Sequence, residues 1–114
     1  MDQETIFDKI LRKEIPANVV YEDDAVLAFH DIGPQAPIHV LVIPKKKVTG
    51  FDKLAGESAE FVGEYIKKVS LVAEKLELTD GYRIVFNNGR QGQQTVNYIH
   101  AHIIGGRQME WPPG

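Results

Sequence analysis

The stretch Asn97-Tyr-Ile-His-Ala-His-Ile-Ile-Gly-Gly106 restricts what this chain can fold into more than any other. Its alternation is that of a β-strand, in which successive side chains point to opposite faces. Tyr98, His100 and His102 then line one face, while Ile99, Ala101 and Ile103 line the other. Such a strand needs a core beneath its aliphatic face and a use for its imidazole face. Two neighbouring imidazoles can serve as nucleophile, general base, anion donor or metal ligand near neutral pH.

The rest of the chain reads as support for that strand. Ile6, Phe7, Ile10 and Leu11 recur at one-turn spacing, predicting a short amphipathic helix over residues 5–12, capped by Asp2 or Thr5 and ended before Pro16. Val19–Tyr21 and Ala25–Phe29 are β-rich runs separated by Glu22-Asp23-Asp24, which predicts an antiparallel hairpin. His30 through Pro37 form a loop, with Asp31 at the mouth of the second strand. By itself Asp31 reads first as an Asx-turn that opens the loop, the alternative being a carboxylate that accepts from a polar ligand. Residues 38–43 are apolar on both faces except at His39, so they predict a central strand covered on two sides. His39 there is either satisfied by a backbone group or converges on the His100 strand. Lys45, Lys46 and Lys47 read as a solvated edge.

From Ser58 to Leu76 an apolar stripe at three- and four-residue intervals faces away from Glu60, Glu64, Lys67, Lys68 and Lys75, predicting a long core-facing helix. One extra turn is expected over Phe51–Leu54. Tyr82–Phe86 predicts another strand, followed by an amide-rich loop, residues 87–95, that can aim backbone N–H groups and the side chains of Asn87, Gln94 and Thr95 at an anion. The loop lacks the Gly-Lys-Ser/Thr ending of a Walker motif.

At 114 residues and 43% hydrophobic, the chain fits a single domain over residues 1–114, of α+β class with an antiparallel sheet. A formal charge of −3 without clustered Lys/Arg argues against a polynucleotide partner, though not against a single nucleotide. There is no cysteine, which excludes disulfides, thiolate zinc sites and thiol nucleophiles. No apolar run approaches the roughly 20 residues that span a bilayer, so a cytoplasmic chain without membrane partners is expected.

Three chemistries compete for His39, His100 and His102. They could complete a three-histidine zinc site. One could attack phosphorus while the 87–95 loop holds phosphate oxygens and a neighbouring imidazole assists proton transfer. Or the site could bind a nucleotide without chemistry. A serine hydrolase is disfavoured, because no Gly-x-Ser-x-Gly elbow occurs.

Residues Ile6 to Pro16, Ala28-Phe-His-Asp-Ile-Gly-Pro-Gln-Ala-Pro37, Leu41-Val-Ile-Pro-Lys-Lys46 and Gly105-Gly-Arg-Gln-Met-Glu-Trp-Pro-Pro-Gly114 together resemble the histidine-triad (HIT) superfamily, in its Hint branch of purine nucleotide-binding phosphoramidases. The resemblance runs almost end to end. It implies a HIT-like fold, with about five antiparallel strands, one long and one short helix, and no cofactor or required metal. It implies a hydrolase that cleaves a P–N bond at the α-phosphate through a nucleotidyl-histidine, with His100 as nucleophile, His102 as its charge-stabilising partner and His39 nearby. The family's signature alternates three histidines with apolar residues, and here the first position holds Tyr98. That exchange is expected to retune catalysis rather than abolish it; the alternative is a catalytically weakened nucleotide-binding or scaffold protein. The resemblance further implies Asp31 at the ribose, Ile6, Phe7, Ile10, Phe29, His30 and Ile32 around the base, and Asn87, Gln93, Thr95, His100 and His102 around the phosphate. It implies AMP or GMP and their amine conjugates as ligands. The expected assembly is a homodimer in which the long helices and the Tyr82–Phe86 strands meet, with Trp111 reaching toward the partner's site.

Overall fold

Thr5 starts the first helix, α1 (Ile6–Leu11), through a reciprocal cap in the computed structural model, which describes residues 3–114. Its Oγ1 accepts from the Phe7 and Asp8 N–H groups at 3.2 and 3.3 Å, while the Asp8 carboxylate accepts from Thr5 N–H at 2.7 Å. The other candidate cap, Asp2, lies outside the described residues. Lys13, at φ 62°, turns the chain out of the helix before Pro16.

The expected hairpin forms as β1 (Val19–Glu22) and β2 (Val26–His30), which pairs in turn with β3 (Ile38–Pro44). A 3-10 turn over Phe51–Gly56 precedes the long helix α2 (Ala59–Lys75), whose first turn is capped by Ser58 Oγ accepting from Phe61 N–H at 3.0 Å. Two strands follow, β4 (Tyr82–Val85) and β5 (Ala101–Gly105). The architecture is α+β: a five-stranded antiparallel sheet in the order β1-β2-β3-β5-β4, with one long and one short helix. Among the described residues no helix is long and apolar enough to cross a membrane.

Alternation along the strands sorts the core onto two faces. Val40, Val42, Ile99, Ala101 and Ile103 pack with Tyr65, Val69, Val72 and Ala73 of α2. On the opposite face Leu27, Phe29, Leu41, Ile43 and Tyr98 pack with Phe7 of α1. The histidines share this second face, because His102 stands opposite Leu41, and His39 opposite Ile104, in the β3–β5 register.

One expectation is corrected. The strand expected over Asn97–Gly106 pairs only from Ala101 to Gly105. Extending the Val42↔Ala101 register would set Ile99 against Pro44, which has no N–H to give the ladder. Ile99 N–H bonds instead to the Val48 carbonyl at 2.7 Å. Tyr98 and His100 therefore stand on an irregular segment, yet Ile99 and Tyr98 keep to opposite core faces.

Asp23 ties the hairpin turn to α2. Its carboxylate accepts from Ala25 N–H (2.8 Å), Val26 N–H (3.0 Å) and the Tyr21 hydroxyl (2.7 Å), and pairs with Lys68 at 2.7 Å. Burial alone would raise this carboxyl, but Lys68, Tyr21 and the two N–H groups outweigh it and hold the group far below the usual carboxylate range. The lowered folded value means that its stabilisation is present above the unfolded value of 3.8 and is lost as pH falls below it. Asp23→Asn should destabilise the protein by about 1–2 kcal/mol at neutral pH. Denaturant unfolding at a series of pH values checks this: the gap to the unsubstituted protein should close progressively below about pH 4.

Candidate active site

On the face opposite α2, the Phe7 ring meets Phe29, Tyr98 and His100 edge-on, with centroids 5.6, 6.0 and 5.0 Å away. Beside this cluster opens a cavity of about 680 Å³, within the usual range for a small-molecule site. The helix and its connector contribute Ile6, Phe7, Ile10, Ile15, Pro16, Ala17 and Asn18. β2, the following loop and β3 contribute Phe29, His30, Asp31, Ile32 and Leu41, and the chain entering β5 contributes Thr95, Val96, His100 and His102.

Backbone groups at both ends fix which nitrogen of each imidazole carries the proton. Gln35 N–H donates to His39 Nδ1 at 3.0 Å, so that nitrogen bears a lone pair and neutral His39 is protonated on Nε2. His39 Nε2–H then donates to His102 Nδ1 at 2.9 Å, which leaves the His102 proton on Nε2. His102 Nε2 is buried and has no hydrogen-bond partner among the described residues. It is a donor awaiting an acceptor. Independently, His100 Nδ1–H donates to the Tyr98 carbonyl at 2.7 Å, so His100 Nε2 carries the lone pair. The two rings lie 4.9 Å apart. A nitrogen lone pair and an unsatisfied N–H are therefore carried on neighbouring rings.

Both rings are held neutral. Burial lowers His100 below the ordinary histidine value, opposed by its bond to the Tyr98 carbonyl and by the Asp31 charge. Burial, with the neighbouring His100 and His39, pushes His102 down to about 4, again opposed by Asp31. At neutral pH His100 Nε2 thus keeps its lone pair, and His102 keeps one N–H without carrying a charge.

Of the residues singled out from sequence, Ile6, Phe7, Ile10, Phe29, His30, Asp31, Ile32, Thr95, His100 and His102 line the cavity. His39 stands behind His102. Asp31 combines both of its readings: Oδ1 accepts Gly33 N–H at 2.7 Å in a turn, and the residue lines the cavity. Asn87, Gln93 and Trp111 are not brought to it. Asn87 Nδ2 donates to the Gly92 carbonyl at 2.7 Å, and Gln94 bridges Gly89 N–H to the Thr49 and Val96 carbonyls. The amides expected to face an anion hold the loop closed instead, leaving Thr95 as the loop side chain at the cavity. The closure is tight: a Cβ on Gly92 would lie 2.5 Å from the Asn88 carbonyl oxygen. Trp111 is 82% exposed, with the Arg83 guanidinium 5.8 Å over its ring. Sequence reading missed Ile15, Pro16, Ala17, Asn18, Leu41 and Val96. The apolar character of the Ile15-Pro-Ala17 connector was the available signal.

Tyr98 takes no part in the imidazole chain. Its side chain is fully buried, its hydroxyl donates to the Pro44 carbonyl, and Lys47 Nζ lies 5.8 Å from its ring centroid. Its service to His100 comes through the backbone carbonyl.

The zinc alternative fares poorly on these atoms. Asp31, His39 and His102 bring ligand atoms within 4.8 Å of one another. But His39 Nε2 carries a proton because Gln35 N–H occupies Nδ1, and a protonated nitrogen has no lone pair for a metal. Ligation would break both hydrogen bonds. The residues as arranged do not fit the ion.

A family model described as the HIT domain matches residues 12–109. The chain belongs to the HIT domain family. A Zea mays protein named 14 kDa zinc-binding protein is 54% identical over 99% of this chain and 90% of its own length. An Arabidopsis thaliana protein named adenylylsulfatase HINT1 is 53% identical over 99% of this chain and 78% of its own length. The crystal structure of a HIT family hydrolase from Legionella pneumophila superposes with a TM-score of 0.91 at 45% identity, covering 97% of this chain and 100% of that one.

Tyr98→Phe in this HIT protein should cost about 1–3 kcal/mol in denaturant unfolding, because the Pro44 carbonyl stays buried without its donor. The His100 tautomer, read from ring nitrogen shifts in NMR, should remain Nδ1-protonated, because its partner is the backbone carbonyl.

Proposed function

We propose that this HIT domain, acting as one unit over residues 1–114, is a hydrolase of purine nucleoside phosphoramidates and kindred adenylyl conjugates, with AMP or GMP as the nucleotide product. The observation that carries this reading is that a locked His100 Nε2 lone pair and an orphaned His102 Nε2–H sit on neighbouring rings of two residues that line an apolar cavity. The Arabidopsis relative, named an adenylylsulfatase, supports chemistry at an adenylyl group.

In the proposed reaction the base lies among Ile6, Phe7, Ile10, Phe29 and Ile32, and the ribose hydroxyls donate to Asp31. His100 Nε2 attacks the α-phosphorus. The P–N bond breaks with its electron pair leaving on nitrogen, which takes a proton from water. His102 Nε2–H donates to a non-bridging oxygen and stabilises the charge that builds there. A water oxygen then attacks the nucleotidyl-His100, the P–Nε2 bond breaks, and the lone pair returns to the ring. One water is consumed overall, its hydrogen going to the amine and its hydroxyl to the phosphorus.

Burial of His100 sets the direction of the pH dependence. Its folded value lies below the ordinary one of 6.5, so the nucleophile stays unprotonated through neutral pH and turnover falls only as pH drops through the lowered value. His100→Ala should reduce turnover of an adenosine phosphoramidate by at least about a thousandfold while AMP still binds in calorimetry. Substantial residual turnover would remove His100 from the role.

We further propose a homodimer. β4 is a sheet edge that exposes Tyr82 (44%) and Ile84 (39%), and α2 exposes Ile66 (42%). Joining two such edges would cover them. Sedimentation equilibrium should return twice the 12.8 kDa chain mass, and Ile84→Glu should shift it toward the monomer.

A further inference from the structure

The cavity presents no cation to a phosphate. Among the described residues that line it, none is lysine or arginine, and its one fixed charge is the Asp31 carboxylate. Cationic side chains at the end of α1 and after β3 are turned to other partners. Lys47 pairs with Asp8 at 2.9 Å and donates to the Gln3 carbonyl, Lys45 pairs with Glu22 at 2.8 Å, and Arg12 pairs with Glu4 and Glu14. The imidazoles do not supply the missing charge while the chain from Gln35 through His39 to His102 keeps one proton on each ring.

The titratable groups facing the reacting end are few and known by element. β2 gives His30 and the loop after it Asp31, β3 gives His39, the segment before β5 gives His100, and β5 gives His102; α1 gives no titratable group, its lining residues being Ile6, Phe7 and Ile10. With one proton on each ring of the Gln35–His39–His102 chain, the fixed charge at the reacting end is that of Asp31. A phosphoryl group bridged on both sides, to ribose and to an amine, carries a single negative charge. Its hydrolysis product, a terminal phosphate, ionises a second time near about pH 6. Each added charge faces Asp31, whose side chain is 21% exposed and whose Oδ2 lies 3.5 Å from His39 Nε2, and like charges at such a partly buried site repel more than in water.

We propose that this cavity selects phosphoryl groups of one negative charge over those of two, and that the nucleotide product is expelled because it becomes a dianion that the substrate cannot become. This rests on the nucleotide reading above and names the charge class that the site accepts. It also assigns Asp31 a second task, as the charge that makes the dianion unwelcome.

The test uses two ligands and the intact protein. Calorimetric titrations with AMP and with its phosphate O-methyl ester, which keeps one negative charge at all working pH values, are run from about pH 5.5 to about pH 8. Affinity for AMP should fall by at least about tenfold over that range, while affinity for the methyl ester changes by less than about threefold. Parallel falls for both ligands would assign the effect to the protein's own groups and overturn the proposal, as would an AMP affinity that does not move. Failure of both ligands to bind at any pH would overturn the nucleotide reading itself, so the two failures are told apart.

Discussion

A single backbone N–H, that of Gln35, sets the chemistry of this site. It comes from the loop between β2 and β3 and meets His39 Nδ1, and from that contact the proton positions on His39 and His102 follow in turn. A neutral histidine offers two tautomers of nearly equal energy, so something external must choose, and here a group that can only donate makes the choice. The loop holds its shape because Asp31 accepts Gly33 N–H and the Gln35 side chain donates to the Gly33 carbonyl. Pro34 and Pro37 bracket the same turn. Without this fixed donor, His102 Nε2 could carry either a proton or a lone pair.

The sheet supplies the second constraint. Antiparallel pairing of β3 with β5 puts His39 and His102 diagonally across one face, and Pro44 ends that pairing where the His100 segment begins. His100 is thus carried by chain that bonds sideways, to Val48 and through its own ring to Tyr98. The α2 face needs none of these devices, because it is closed by aliphatic packing and by the Tyr65 hydroxyl on the Val42 carbonyl.

Much of this was legible in the amino-acid order, and the reasons are local. β-rich composition announced β2, an apolar run broken only at His39 announced β3, period-3.6 spacing announced α2, and Thr5 was one of two candidate caps for α1. His39, His100 and His102 stood out because imidazoles in apolar runs need partners. What could not be read was where amides end up. Asn87 and Gln94 look identical in sequence whether they meet an anion or their own backbone, and only the close approach at Gly92 decides for the backbone. The early end of β5 was equally hidden, because it depends on which residue of β3 falls opposite Ile99. The connector from Ile15 to Asn18 escaped for a simpler reason: it belongs to no periodic element.

Tyr98 carries a lesson about how such sites are recognised. Its side chain fills space under Phe7 and satisfies the Pro44 carbonyl, while its main chain orients the His100 ring. What the fold asks of that place is a ring of the right reach with one polar tip, a demand about volume and a lone pair. The family's pattern of three alternating histidines puts an imidazole there, and this chain belongs to the family with a phenol in its place. The carbonyl that orients the His100 ring belongs to the main chain, so it is present whichever of the two side chains stands above it.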